Sequence, residues 1–490
     1  MKFRAIISIV VFALIAGGGV WLYKNQQNTE GVIRQTNSDI SNIKQGLRKE
    51  FADAYEKDSV PSGKVVAFDM IAEPSTVELF TQDDVGLELD DYTTSVWTYN
   101  GTVPGPEIRI KLGDTLRLNF TNNLPQETTV HFHGVRVPNA MDGVPGITQE
   151  PIQPGDSFVY EFTPKDAGTF WFHPHVKTSE QMERGLYGTL IVEDEIDDQY
   201  TQDVTWVIDD WRIGQDLQID PNFNTMHDLM HDGRWGNVVT VNGKLDEKLY
   251  VKPGERIRLR LVNTSNGRVY VPVFAGLKPM VIAVDGMYVK EPFLLDRFEL
   301  APGNRLDIDI TIPDNERTFI VSDYFGRNVN PLGEIISEGA VVATPDFEYP
   351  HNDKVPEWND VAILPINKEY RLNARRKSGH GVMGGIEWTI NDKAFPEYDP
   401  FTFAYDEINI FQFTNESARL HPMHLHGQFF KVISKNGQIA NEEYFRDTVL
   451  VGSKETVVLA TVPLDKGSWV NHCHTLEHAE AGMLTVVEVE

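Results

Sequence analysis

From about residue 75 to the carboxyl end, apolar and polar positions alternate in short runs broken by Gly, Pro and Asn. Alternation of period two puts apolar side chains on one face of a strand and polar ones on the other, which predicts antiparallel β structure. Three segments share one plan: YNGTVPGPEIRIKLGDTLRLNFTNN (99–123), VNGKLDEKLYVKPGERIRLRLVNTS (241–265) and INDKAFPEYDPFTFAYDEINIFQFTNES (390–417). Each begins at a turn containing Asn100, Asn242 or Asn391 and ends in an alternating strand. A second element recurs as PGDSFVYEF (154–162), PGNRLDIDI (302–310) and SKETVVLA (453–460). The period, roughly 145 residues, is that of a domain and not of a solenoid. The expected fold is all-β, with three Greek-key β-sandwiches at 61–197, 198–345 and 355–490 and EYPHNDKVPEWND (348–360) as the second linker.

Two segments precede this body. Ala5 to Tyr23 is an uncharged run of 19 residues behind the basic Met1-Lys2-Phe3-Arg4, long enough for a helix to cross a bilayer. Residues 1–24 are therefore expected to be a signal peptide or a membrane anchor, with the protein exported to the cell envelope, in the periplasm or on the outer face of the cytoplasmic membrane. Residues 25–60 are polar, with Ile40, Ile43, Leu47, Phe51 and Tyr55 at helical spacing. They are expected to form a helical stalk outside the catalytic body.

Charge and cysteine content narrow the chemistry. A net charge of −28 argues against nucleic acid as a partner and favours cationic ligands. The one cysteine, Cys473, excludes an intrachain disulfide. In an exported protein an unpaired thiol calls for something to hold it, and a metal would do so.

The repeat registers the histidines. Positions 18 and 20 after Gly113 are His131 and His133, and the same count from Asp406 reaches His424 and His426. From Gly254 it reaches Pro272 and Phe274. The later strand behaves alike: GTFWFHPH supplies His173 and His175, GSWVNHCH supplies His472 and His474, and the middle unit has RTFIVSDY. The outer units carry matched pairs and the middle unit none, so the outer units are expected to face each other across a shared metal site, with the middle unit as a spacer. Residues i and i+2 of a strand point to one face. HFHG (131–134), HPH (173–175), HPMHLHG (421–427) and HCHTLEHAEAGM (472–483) therefore each present imidazoles together, using ten of the 14 histidines. Along an extended 472–474, His472 and His474 face one way and Cys473 the other. Cys473, His478, Met483 and His421 then suit a copper electron-transfer centre of one thiolate, two imidazoles and a weak thioether. The remaining eight, His131, His133, His173, His175, His424, His426, His472 and His474, suffice for three further ions.

These four motifs resemble those of multicopper oxidases, the family of laccases and cuprous oxidases, and the resemblance covers nearly all of 75–490. It implies cupredoxin-like sandwiches and four copper ions. A type 1 copper would be held by His421, Cys473 and His478 with Met483 axial, a type 2 copper by His131 and His424, and a type 3 pair by His133, His173, His175, His426, His472 and His474. It implies one-electron oxidation of a substrate at type 1 and reduction of dioxygen to water at the other three. NAMDG (139–143) matches the family segment carrying an acid near type 2, which makes Asp142 the candidate for proton delivery. Many bacterial members place a Glu after the second type 1 histidine; here that position is Ala479, and Glu477 or Glu480 is the candidate replacement.

For the donor, the resemblance gives two readings. Copper-tolerance cuprous oxidases tend to carry Asp and Met four and two residues before the first type 1 histidine, where this chain has Ser417 and Arg419. That favours a laccase-like oxidase of phenols or aromatic amines. The alternative is oxidation of Cu(I), for which TMHDLMHDG (225–233) sets Met226, His227, Met230 and His231 at i, i+4 spacing and SGHGVMGG (378–385) adds His380 and Met383.

Overall fold

A computed structural model describes residues 41–55, 58–86, 92–326, 329–356, 364–377 and 385–490. The apolar run at 5–23 and the loop residues His380 and Met383 lie outside the described residues. Among the described residues no helix is long and apolar enough to cross a membrane.

Each repeat folds into two facing sheets. In the first unit Thr93–Tyr99, Val65–Glu78, Thr115–Asn122 and Ser157–Phe162 form one sheet, and Glu107–Lys111, Gly188–Glu193, Gly168–His173 and His131–His133 the other. Parallel pairs interrupt the antiparallel pattern at the same places in every unit. Val65–Glu78 runs parallel to Thr115–Asn122, Gln202–Trp211 to Arg256–Asn263, and Lys368–Arg376 to Asn409–Asn415. The shared turn has one physical device. Asn100, Asn242 and Asn391 all take left-handed φ near +50°, a region Asn tolerates better than most residues. Each Asn side chain bridges back to the first strand: its oxygen accepts from Ile71, Val207 or Arg371 N–H, and its amide donates to Asp69, Thr205 or Glu369 C=O.

The strand LRLNF behaves as its alternation predicts, with Leu116, Leu118 and Phe120 buried and Arg117 outward. Its counterpart in the middle unit, Arg256–Asn263, is buried on both faces. Its polar face is covered by the junction with the first unit. Arg260 bonds Asp203 at 2.6 Å and Thr169 at 2.8 Å, Arg258 bonds Asp307 at 2.7 Å, and Arg109 of the first unit reaches Asp203 at 2.8 Å. Burying guanidinium groups is tolerable only when each is paired and hydrogen-bonded, and here they are. This interface is set by directional polar contacts, which fix how the two sandwiches meet.

The stalk expectation is corrected. Residues 41–54 are helical as the spacing predicts, but the stripe lies against the body. Leu47, Phe51 and Tyr55 are buried in the core shared by the outer units. Phe51 and Tyr55 pack on Phe445 at 5.3 Å, the Tyr55 hydroxyl donates to Val462 C=O at 3.0 Å, and Arg48 pairs with Asp406. Arg136 of the first unit lies 5.1 Å over the Tyr55 ring. The physical reason is that an apolar stripe gains more by covering an apolar seam than by facing water. Phe51→Ala should lower unfolding stability by about 3–5 kcal/mol, measured by denaturant unfolding of the chain from residue 41 onward. A loss of a few tenths would show that the helix is dispensable.

Candidate metal centre

The histidine strands pair in equivalent registers: His131 faces His173, Pro272 faces Asp323 and His424 faces His472. The three pairs are the same position of the repeat, filled by imidazoles only in the outer units. Those units press their histidine faces together. His131 stacks on His426 at 3.8 Å and His133 on His424 at 3.7 Å. Ligand-capable nitrogens come within 4.8 Å of one another in three sets: His133, His173 and His474; His175, His426 and His472; and His131, His133 and His424. The first two sets share no residue and each draws on both units. All eight residues expected to share a site are thus brought together.

Six of the eight rings have one nitrogen tied to the protein. The Nδ1 atoms of His131, His173, His424 and His472 donate to the carbonyl oxygens of Asp142, Pro174, Asp447 and Cys473 at 2.7–2.9 Å. His426 Nδ1 donates to the Asp142 carboxylate at 2.9 Å. His133 is reversed, with Nε2 against Asp447 and Thr448 at 3.3 and 3.2 Å. Buried without a partner are Nε2 of His131, His173, His175 and His424, Nδ1 of His133, and both ring nitrogens of His474. The Nε2 atoms of His426 and His472 face each other at 3.1 Å, lone pair against lone pair. Buried polar atoms are normally hydrogen-bonded, so so many unpaired, convergent lone pairs fit metal ions. Fixing the far nitrogen to a carbonyl or carboxylate is how proteins orient a metal-binding imidazole. Burial and, next, neighbouring imidazoles hold His133, His173, His175, His426 and His474 well below the ordinary histidine range, and His472 at about 3. These rings are neutral, as a ligand must be.

The thiol site forms on the other face of the same strand. Cys473 Sγ lies 3.5 Å from His421 Nδ1 and 3.8 Å from His478 Nδ1, and those nitrogens are 3.2 Å apart. His421 Nε2 bonds the Ser417 hydroxyl at 2.9 Å, and His478 Nε2 donates to His231 C=O at 2.7 Å. Met483 is buried in the same core cluster, and its carbonyl accepts from Cys473 N–H at 3.0 Å. Trp388 packs 4.1 Å from the His478 ring. Burial pushes the Cys473 thiol up to about 12, so without a metal it keeps its proton.

The expected acids separate. Asp142 is fully buried between His131 and His426, with Oδ1 unpartnered. Glu477 and Glu480 instead tie the third unit to its neighbours. Glu477 accepts from Asn266 and from Arg234 N–H, and Glu480 from Ser179 N–H and Asn224. Burial raises Glu477 to about 7. Sequence reasoning missed Asp447 and Thr448, which hold His133 and His424. The available signal was RDTV (446–449) ahead of a short strand, but only the pairing of Thr448 with His424 reveals its meaning.

Comparison with known proteins gives three family-model matches, each described as multicopper oxidase, over residues 83–197, 202–339 and 367–490. The chain is similar to a multicopper oxidase of Mycobacterium tuberculosis, with 28% identity over 88% of this chain and 89% of that protein. It is also similar to the crystal structure of a multi-copper oxidase from Pseudomonas thermotolerans, with 31% identity, TM-score 0.75, and coverage of 87% of this chain and 99% of that one. A Campylobacter jejuni multicopper oxidase described as a metallo-oxidase aligns with 26% identity and TM-score 0.74, over 88% of this chain and 94% of that one.

The ionisation states give a test. A thiol at about 12 beside neutral imidazoles, with His478 held at about 3 by burial, must lose one proton when it becomes a ligand. Copper(I) affinity at the Cys473 site should therefore rise about tenfold per pH unit between pH 6 and 8, with about one proton released. Chelator competition and calorimetry in buffers of different ionisation enthalpy would measure both. A pH-independent affinity would sink the assignment.

Proposed function

Given that this chain belongs to the multicopper oxidase family, whose members are copper-dependent oxidoreductases using dioxygen, we propose that it oxidises Cu(I) at its surface and reduces dioxygen to water at the histidine cluster. His421, Cys473 and His478, with Met483, would hold a type 1 copper, His131 and His424 a type 2 copper, and the two sets of three histidines a type 3 pair. Bound copper supplies one-electron transfer at the thiolate and, with three more ions at the cluster, the four electrons that dioxygen requires. Cys473 joins the two sites through its own backbone, since His472 and His474 flank it in the cluster sets.

The observation that carries the choice of donor is the cover over His478. This ring is fully buried and its outward nitrogen is spent on His231 C=O, so no organic ring can rest against it. The covering helix Met226–Met230 is fixed by a Thr225/Asp228 capping box, by the Asp228–Arg212 ion pair at 2.7 Å and by the Trp388 indole donating to Leu229 C=O. On it Met226, Met230 and His227 are exposed, with the His227 ring stacked on His231 at 4.3 Å. Thioethers and imidazoles are soft donors that suit Cu(I). The similar Campylobacter jejuni metallo-oxidase agrees with this reading. The laccase-like reading keeps one observation of its own: the group on His421 Nε2 is the uncharged Ser417 hydroxyl and not a carboxylate that would attract a cation. Asp142 would deliver protons, since its carboxylate lies against both His131 and His426.

Dioxygen uptake with anaerobically prepared Cu(I) or with a dimethoxyphenol separates the readings. The Met226→Leu/Met230→Leu variant should lose about tenfold in kcat/KM for Cu(I) and keep its phenol activity, while Cys473→Ser should lose both. Faster turnover of the phenol, with Cu(I) oxidation indifferent to the double variant, would favour the organic donor. Asp142→Asn should slow dioxygen turnover at least about 100-fold while stopped-flow reduction of the Cys473 site by the donor stays at the wild-type rate. An unchanged turnover would remove Asp142 from proton delivery.

A further inference from the structure

The middle unit supplies no imidazole, yet its Arg305 is buried where all three units meet. All five of its N–H donors are used. Nε donates to Thr169 C=O of the first unit at 3.0 Å. Nη1 donates to Gly303 C=O at 3.1 Å and Asp447 Oδ1 at 2.9 Å, and Nη2 to Asp285 C=O at 2.9 Å and Asp447 Oδ2 at 2.6 Å. This is a two-pronged guanidinium–carboxylate pair with a single permitted orientation. Asp447 belongs to the third unit and acts on both. Its Oδ1 lies 3.3 Å from His133 Nε2, and its carbonyl accepts from His424 Nδ1 at 2.9 Å. Thr448 Oγ1, which donates to the same Oδ1 at 2.8 Å, sits 3.2 and 3.0 Å from the same two ring nitrogens.

We infer that Arg305 is a positioning residue for the cluster: by clamping Asp447 it fixes which nitrogens of the stacked His133 and His424 rings face the metal. His133 presents Nδ1 where His131, His173, His175 and His424 present Nε2, and it is the ring that faces this clamp through Nε2. The clamp also accounts for the glycine of HFHG. Gly134 has φ of +80°, and a Cβ there would stand 2.2 Å from Arg305 Nη2 and 2.4 Å from Asp447 Oδ2. A domain without ligands thus sets the coordination geometry of the other two. The inference rests on the reading that the eight histidines hold copper.

The test uses the full chain loaded with Cu(I), with cluster affinity read by chelator competition and copper content by metal analysis. The visible thiolate–copper absorption of Cys473, developed on oxidation, is the internal control for the fold of the third unit. Arg305→Lys keeps the charge but not the fork, and Asp447→Asn keeps the shape but not the charge. In both, cluster affinity should fall about 10–100-fold with the Cys473 absorption kept. Should Arg305→Lys not fold, Asp447→Asn carries the test alone. Wild-type cluster affinity in the folded variants overturns the inference, even if their melting temperatures drop. Equal loss at the cluster and at Cys473 overturns it too, because that is the mark of a merely structural role. If the wild-type chain itself takes up no cluster copper, the underlying reading fails and the inference with it.

Discussion

An imidazole removed from water has to be neutral, and one of its two nitrogens has to be satisfied by the protein if the other is to serve as a ligand. The architecture follows from meeting that condition for six of the eight rings in one place. Backbone carbonyls are the cheapest acceptors available, and His131, His173, His424 and His472 use them. Carboxylates are costlier to bury, and two of them serve other rings. Asp142 takes His426, and Asp447, with Thr448, takes His133. Burial works most strongly against the Asp447 charge, and the Arg305 guanidinium together with His424 holds the group below the ordinary carboxylate range. The cluster therefore requires a buried cation as much as it requires histidines.

That requirement explains why three sandwiches are present when two carry the ligands. The two sets of three histidines each straddle the first and third units, so neither unit holds a complete set. Their mutual orientation must be kept to a fraction of an ångström, and apolar packing alone leaves some freedom to slide. The middle unit removes it with directional contacts: Arg260 on Thr169 and Asp203 on Arg109 toward the first unit, and Asn266 and Arg234 on Glu477 of the third. The amino-terminal helix adds apolar closure over the seam between the outer units.

What was legible in the sequence is what repeats with a short period. Strand alternation exposed the three units, and the i, i+2 spacing put each histidine pair on one face, because both follow from local backbone geometry. The split of His472 and His474 from Cys473 was readable for the same reason. Long-range contacts were not. RIRLRL carries the same alternation as LRLNF, and nothing local tells a strand whose Arg face is covered by a neighbouring domain from one whose Arg face is wet. Leu47, Phe51 and Tyr55 announced a helix with an apolar stripe but not what the stripe would cover. Asp447 and Arg305 are separated by 142 residues, and neither lies in a motif with a recognisable spacing. Glu477 and Glu480 were legible as acids beside a metal motif, and the fold turned both toward the domain junctions.

The two metal-binding faces of one strand also set what can vary. On the cluster side the two sets of three histidines each draw on two units, so a change there is felt by both. On the Cys473 side the protein beyond His478 is a short helix of the middle unit, tied by one capping box, one ion pair and one indole. Its exposed face makes no contact that the fold requires. A chain built this way can alter its electron donor by changing Met226, His227 and Met230 without disturbing the oxygen-reducing site, because none of these middle-unit residues belongs to the histidine sets of the cluster. Donor chemistry and dioxygen chemistry are thereby placed on opposite faces of the strand that carries Cys473.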